Sequence, residues 1–112
     1  MIKLNKVLSL LGLACRAGYV VSGEYATESA IKSGKAKICV LAEDASDNTK
    51  KHFHDKCSYY GVPVIEAGTK EELGKAIGKE FRASSTVTDK SFAEGLLKKY
   101  EEIIRDNGGN NI

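Results

Sequence analysis

Residues 22–46 read SGEYATESAIKSGKAKICVLAEDAS, and the run ICVLA at positions 38–42 contains no polar residue. An apolar run of this length is typical of a central strand that is covered on both faces. Helical patterns lie on either side of it, at residues 23–33 and at residues 46–60. The stretch therefore predicts a helix, a buried strand and a second helix in succession.

The same alternation continues outward in both directions. Before the stretch, the apolar spacing of residues 4–15 predicts a helix that ends at Gly18, and residues 19–21 predict a short strand. After it we expect four more elements: a strand at residues 64–66, a helix opened by a capping box of Thr69 and Glu72, a strand at residues 85–88 and a last helix from about residue 91. Alternating helices and short strands predict an α/β fold, a three-layer α/β/α sandwich with a central mixed sheet of about four strands. The order of the strands does not follow from this pattern.

Length and composition predict one domain. The chain has 112 residues, of which 42% are hydrophobic, which suits a single core spanning residues 1–104. Residues 105–112 contain little apolar surface to pack, so we expect a flexible C-terminal tail. The net charge is only +2, so any attraction to phosphate must come from the arrangement of charges on the surface.

The N-terminal residues allow two interpretations. Two lysines, an apolar run and Ala14-Cys15 resemble a bacterial lipoprotein signal, whereas the helical spacing of the same apolar residues predicts a buried first helix, the interpretation we favour. No run reaches the roughly twenty apolar residues of a membrane span. Three cysteines without a C-x-x-C pair fit a reducing compartment. We therefore expect a cytoplasmic protein without a membrane partner.

The sequence gives little support to catalysis or metal binding. His52 and His54 point in different directions on one helix, and His54 with Cys57 supplies only two ligands, so no zinc site is expected. In the same helix we expect His52 to be solvated and Phe53, Cys57 and Tyr60 to face inward.

Phosphate-ester chemistry is a remote alternative. Glu43 and Asp44 follow the apolar strand like magnesium ligands, but the chain has no phosphate-binding G-x-x-x-x-G-K-[ST] loop, and such carboxylates are more often loop and cap residues. No G-x-S-x-G turn occurs either. We expect no enzyme activity, no metal and no cofactor.

Two segments have the composition of an RNA-binding surface. In the second helix, Ala26 faces the sheet and Tyr25, Ser29 and Lys32 share an outward side. The glycine at its start would let a phosphate approach unpaired backbone N–H groups. The second segment places an aromatic ring between two cations in a loop. The predicted RNA-binding residues are Gly23, Glu24, Tyr25, Ala26, Ser29, Lys32, Lys79, Glu80, Phe81 and Arg82. The plainer alternatives are a solvated helix with an ordinary cap and a phenylalanine that fills the core.

Longer motifs resemble a known family. Two segments, G-x-x-x-x-x-x-AIxxGKAKICVLAEDAS from Gly23 to Ser46 and YYGVPVIEAGTKEELGKAIGK from Tyr59 to Lys79, are similar to the kink-turn RNA-binding ribosomal proteins of the L7Ae and L30e type. The likeness covers about nine-tenths of the chain and is closest to a small bacterial branch that is associated with ribosomes. The resemblance implies a non-catalytic, monomeric protein whose partner is structured RNA, of the kink-turn or ribosomal kind, and which binds through the start of its second helix and the loop at residues 79–82.

The chain departs from the family pattern at the helix start. The family has G-x-N-E-x-x-K, and Gly23 matches it, but Tyr25, Ala26 and Ser29 stand at the asparagine, glutamate and lysine positions. Asparagine and glutamate can hydrogen-bond the edge of guanine, whereas alanine cannot. Lys32, one turn further on, is the expected partial replacement for the missing lysine. The alternative function is a protein-interaction module of the same fold with little RNA affinity.

Overall fold

The computed structural model describes residues 5–109 and contains five helices and four strands in this range. The elements are α1 (Asn5–Arg16), β1 (Val20–Ser22), α2 (Glu24–Lys32), β2 (Ile38–Leu41), α3 (Asp47–Tyr60), β3 (Val64–Glu66), α4 (Lys70–Ala76), β4 (Ser84–Val87) and α5 (Lys90–Gly109). All elements that the sequence predicts are present, with boundaries that differ by at most two residues except at the end of α5.

The four strands form one mixed sheet in the order β1-β4-β2-β3. Strands β2 and β3 are parallel, while β4 is antiparallel to both of its neighbours. The apolar run that predicts a central strand is β2, and all four of its residues are buried. The structure therefore confirms the mixed four-stranded sheet and adds the order of its strands, which the sequence did not predict.

Helices cover both faces of the sheet. Ile38 and Val40 of β2 pack in a core with α1, α4 and α5, while the alternating residues Cys39 and Leu41 pack in a second core with α2 and α3. Since successive side chains of a strand point to opposite faces, an apolar residue at every position serves both cores. This arrangement confirms the three-layer sandwich.

Strand β4 is buried although its sequence, SSTV, is largely polar. Its hydroxyl groups bond to the backbone of β2: Ser85 Oγ donates to the carbonyl of Val40 at 3.3 Å, and Thr86 Oγ1 donates to the carbonyl of Ile38 at 2.7 Å. Buried hydroxyls are tolerated where they are hydrogen-bonded. A strand of modest hydrophobicity can therefore occupy an interior position of the sheet.

The first helix packs as predicted. Val7, Leu11 and Ala14 of α1 are fully buried, and Gly18 ends the segment with a φ of 87°. No helix among residues 5–109 is long and apolar enough to cross a membrane.

The predicted inward stripe of α3 is right for Phe53 and Cys57, which are fully buried, but wrong for Tyr60, which is 42% exposed. The chain turns at Gly61, which has a left-handed conformation, and Val62 then packs against the core instead. Tyr60 is left at the surface because the turn brings an apolar residue into the position that it would have filled.

The last helix overlaps the segment that we expected to be a tail, because α5 continues to Gly109. Residues 110–112 lie outside the described residues. The mobility of residues 105–112 stays a prediction.

Candidate functional site

The start of α2 requires a glycine. Gly23 has φ 94° and ψ 158°, a combination that is available almost only to glycine. Its N–H donates to the carbonyl of Ser84 at 3.0 Å, and its own carbonyl accepts from the N–H of Thr27. No side-chain cap forms at this end of α2, although the first N–H groups of a helix have no partner within the helix. The first turn of α2 thus has no side-chain cap, and Gly23 is fixed beside β4.

The loop at residues 79–82 is held against α4 by its backbone. The N–H of Lys79 donates to the carbonyl of Gly74 at 2.7 Å, and the N–H of Arg82 donates to the carbonyl of Lys70 at 3.0 Å. The loop lies so close to α4 that a Cβ added at Gly74 would be 2.5 Å from the carbonyl oxygen of Glu80. A glycine inside α4 therefore permits the position of this loop.

The two predicted segments lie side by side. Arg82 Nε donates to Ser22 Oγ at 3.0 Å, and Arg82 Nη1 donates to the carbonyl of Phe81 at 2.7 Å. The pairing of β1 with β4 explains this contact, since Ser22 lies opposite Ser85 in the register. We call the surface formed by residues 23–25 and residues 79–82 the cradle.

Two exposed aromatic rings flank the cradle. The Tyr25 side chain is 88% exposed and the Phe81 side chain is 59% exposed. Phe81 therefore does not fill the core, which removes the plainer alternative for this residue. Exposed rings next to cations are suited to stacking with unpaired bases.

The charges around the cradle nearly balance. The cradle contains the cations Lys79 and Arg82 and the exposed carboxylates of Glu24 and Glu80. An acidic residue in the first turn is favourable for α2 itself, but it opposes a phosphate at the same place. The cradle therefore offers about two cations for phosphate contact, and its general electrostatic attraction is modest.

The remaining predicted residues lie further along α2. Ala26 is half-buried, whereas Ser29 and Lys32 are exposed. Lys32 Nζ forms an ion pair with Glu28 at 2.8 Å, so its charge is less available than we expected for a replacement of the missing lysine. Tyr25, Ser29 and Lys32 line one groove with Glu28 and Ser33.

Glu28 connects α2 to α3. Its carboxylate bonds to Lys32 and also to His52 Nε2 at 2.5 Å, and these hydrogen bonds, that of Lys32 first, lower the pKa of Glu28 from 4.5 to about 2. The prediction that His52 is solvated is therefore wrong: the ring is half-buried and pairs with the neighbouring helix. Both helices carry charged residues at intervals of four positions, which makes a pair between the helices possible. The sequence does not show which two residues pair.

The structure supports the interpretation of Glu43 and Asp44 as loop and cap residues, not magnesium ligands. Asp44 Oδ1 accepts a hydrogen bond from the N–H of Lys70 at 2.8 Å and so caps the start of α4. Burial raises the pKa of Glu43, and Glu66 and Glu72 add to the shift. Within residues 5–109, no cluster of three or more His, Cys, Asp or Glu side chains could hold a metal ion.

Sequence reasoning missed three residues that build the cradle. Ser22 and Ser84 anchor Arg82 and Gly23, and Gly74 makes room for the loop. A glycine within a predicted helix was the available signal for Gly74, because glycine there costs about 1 kcal/mol relative to alanine and therefore indicates a close contact.

Comparison with known proteins identifies relatives along most of the chain. Residues 5–96 match the model of the ribosomal protein L7Ae/L30e/S12e/Gadd45 family. The chain is 49% identical over 88 residues to the RNA-binding protein YlxQ of Bacillus subtilis, covering 79% of this chain and 88% of that protein. It is 44% identical over 100 residues to the RNA-binding protein YlxQ of Enterococcus faecium, covering 89% and 92%. These relatives confirm the resemblance and the bacterial branch, and their names agree with the expectation of a protein that is not an enzyme.

Solved structures confirm the fold. A protein of unknown function from Bacillus halodurans superposes with a TM-score of 0.83 at 40% identity, covering 86% of this chain and 97% of that one. The 15.5kD RNA binding protein of Giardia lamblia superposes with a TM-score of 0.75 at 21% identity, covering 88% of each chain. At that identity the second match shows the fold alone.

Proposed function

Because the chain belongs to the ribosomal protein L7Ae/L30e/S12e/Gadd45 family, we propose that it is a non-catalytic protein that binds structured RNA through the cradle. Two relatives that are 44–49% identical are named RNA-binding proteins. The cradle supplies a helix start without a side-chain cap, two cations and two exposed rings. These are the groups that recognise phosphates and unstacked bases.

One observation carries the proposal. The hydrogen bond from Arg82 Nε to Ser22 Oγ joins the loop to the strand that leads into α2. The hydrogen bond from the Gly23 N–H to the carbonyl of Ser84 adds a second link between the start of α2 and the segment that follows the loop. Joined, the helix start and the aromatic loop form a continuous surface on which one bent RNA strand can lie.

The RNA that we propose is a kinked or otherwise structured one, read mainly by shape and stacking. Tyr25 and Ala26 stand where the family has asparagine and glutamate. If each of the two lost base contacts is worth about 1–3 kcal/mol, the preference for a kink-turn over a plain duplex falls by about thirty-fold to about twenty-five-thousand-fold. We therefore expect a small remaining preference. Because the family is one of ribosomal proteins, ribosomal RNA is the first candidate for the bound RNA. We accordingly propose that the protein is cytoplasmic, monomeric and associated with the ribosome.

The proposal is tested by titrating a labelled kink-turn RNA and a plain duplex of equal length at two salt concentrations. Two phosphate contacts, from Lys79 and Arg82, predict a slope of log K against log salt of roughly −1.5 to −2. Phe81→Leu keeps the apolar volume but removes the ring, so it should weaken binding of the kink-turn RNA about tenfold. Arg82→Ala should also weaken it and reduce the slope by about one.

Lys98→Ala provides the control, since Lys98 is an exposed cation on α5, outside the cradle. It should leave the affinity and the salt slope unchanged. Failure of the unmodified protein to bind either RNA would overturn the proposal. In that case, a protein partner that co-purifies with the chain would favour the alternative of a protein-interaction module.

A further inference from the structure

A groove runs along the outer side of α2 and begins at the cradle. It has a volume of about 390 Å³ and is lined by Tyr25, Glu28, Ser29, Lys32 and Ser33. From Tyr25 to Lys32 the helix rises by about 10 Å, which matches the height of about three stacked bases at roughly 3.4 Å each. Because Tyr25 belongs to both surfaces, a strand bound in the cradle can continue into the groove.

Helix α3 packs beside α2, next to this groove. His52, Lys56 and Tyr60 follow each other at intervals of four residues and share one side of α3. That side faces α2, because His52 bonds to Glu28 across the two helices. The pKa of Lys32 is raised, first by the hydrogen bond to Glu28, and the nearby Tyr60 and Tyr25 contribute further. The row on α3 that begins at His52 ends at Tyr60, about two turns beyond the contact with Glu28.

Three exposed rings lie on α2 and at the end of α3. Tyr25 is 88% exposed, Tyr59 is 82% exposed and Tyr60 is 42% exposed. The Tyr59 and Tyr60 rings pack edge to face, with centroids 4.9 Å apart. Water-exposed aromatic rings have large apolar faces to cover, and exposed rings beside lysines are the combination that binds single-stranded nucleic acids.

The available charge also suits a nucleic acid strand. Lys32 uses one of its three N–H donors on Glu28, so two remain for a phosphate. Lys56 on α3 adds a second cation, while Glu28 is already bonded to both Lys32 and His52. A phosphate entering the groove therefore meets the ammonium group of Lys32 and a carboxylate whose charge is already compensated, with Lys56 on the neighbouring helix.

We propose that the groove between Tyr25 and Tyr60 binds a short single-stranded extension of the RNA that is held in the cradle. The extension stacks its bases on the tyrosine rings and places its phosphates near Lys32 and Lys56. This inference rests on the proposed function, because the cradle brings the extension to the groove. It adds a second, sequence-tolerant contact that recognises unpaired nucleotides.

The experiment compares one labelled kink-turn RNA with and without four unpaired uridines, which are added at the 5′ end in one RNA and at the 3′ end in another. One of the two extensions should raise the affinity of the unmodified protein about tenfold, the effect of about one stacked base. Tyr60→Ala should abolish this gain and leave the affinity for the RNA without extension unchanged. Tyr60→Phe should keep the gain, since the ring remains.

Tyr19→Ala is the matched control. Tyr19 is 41% exposed, almost as much as Tyr60, but its ring packs against Phe92 of α5, with centroids 6.0 Å apart. This variant should retain the gain. Thermal unfolding of every variant separates a loss of binding from a loss of folding, and Tyr59→Ala offers a second, more exposed position if Tyr60→Ala does not fold.

The outcomes distinguish this inference from the proposed function. The inference is overturned if neither extension raises the affinity, or if the gain persists in both Tyr60→Ala and Tyr59→Ala. Neither result contradicts RNA binding by the cradle. If the RNA without extension does not bind, the proposed function fails. In that case a free strand of eight uridines tests the groove by itself. Binding that is lost in Tyr60→Ala supports single-strand binding in the groove, and the absence of binding overturns it.

Discussion

Replacing Gly74 by alanine has two opposing effects on stability, one from helix propensity and one from the contact with the loop at residues 79–82. Alanine in place of glycine inside a helix normally stabilises a protein by about 1 kcal/mol. At Gly74, however, the new Cβ would lie 2.5 Å from the carbonyl oxygen of Glu80, 2.7 Å from its carbonyl carbon and 3.0 Å from the nitrogen of Phe81. All three are backbone atoms, so no side-chain rotation relieves the contact.

The expected magnitude follows from these distances. Forcing an extra carbon into a packed site costs about 1–3 kcal/mol or more. Here the loop must also move away from the carbonyl of Gly74, which accepts the Lys79 N–H at 2.7 Å. After subtracting the gain in helix propensity, we expect Gly74→Ala to lose about 2 kcal/mol. For a domain of about 100 residues this loss lowers Tm by roughly 10 °C.

Gly95→Ala is the matched control within a helix. Its Cβ would meet the Cδ2 atom of Leu10 at 3.2 Å, the mobile end of a side chain that can rotate away. We expect this variant to be as stable as the unmodified protein or up to about 1 kcal/mol more stable. Urea unfolding followed by circular dichroism measures both variants.

The reasoning also predicts a functional difference. Because Gly74→Ala moves Glu80 and Phe81, it should weaken binding of the kink-turn RNA at a temperature where the protein is still folded, whereas Gly95→Ala should not. A Gly74→Ala protein that is at least as stable as Gly95→Ala would refute the close packing of the loop on α4.

Three further substitutions test individual contacts, each by chemical unfolding. Thr27 is fully buried and its Oγ1 has no hydrogen-bond partner among the described residues, so Thr27→Val should stabilise by about 1 kcal/mol, and a loss of stability would imply an unseen partner. Thr69 Oγ1 accepts from the N–H of Glu72 in a reciprocal capping box, so Thr69→Ala should cost about 1 kcal/mol; no loss would contradict that role. The pKa of Glu28 is lowered from 4.5 to about 2, first by Lys32. A lowered folded-state pKa stabilises above pH 4.5 and this contribution is lost as the pH falls towards 2. Glu28→Gln should therefore cost at most about 1 kcal/mol at pH 7 and nothing near pH 2; a cost that is independent of pH would contradict the ion pair.

Local signals predicted most of the elements because each depends on nearby residues. The run at residues 38–42 identified β2, and Thr69 with Glu72 identified the start of α4, since hydrophobic periodicity and capping act over a few residues. The outward direction of Tyr25, Ser29 and Lys32 also followed from helical spacing alone. Tyr60 was misplaced because the turn at Gly61 brings Val62 into the core, which helical spacing does not show.

The sequence by itself thus determined the class of fold, the two segments of the candidate site and the residues that could contact RNA. Only the tertiary structure decided that the segments are adjacent, through the pairing of β1 with β4 and the bond from Arg82 to Ser22 across 60 positions of the chain. It also decided that Phe81 is exposed and that His52 pairs with Glu28. The physical reason is that strand order and contacts between distant residues depend on how complete elements pack, and residue spacing carries no information about that packing.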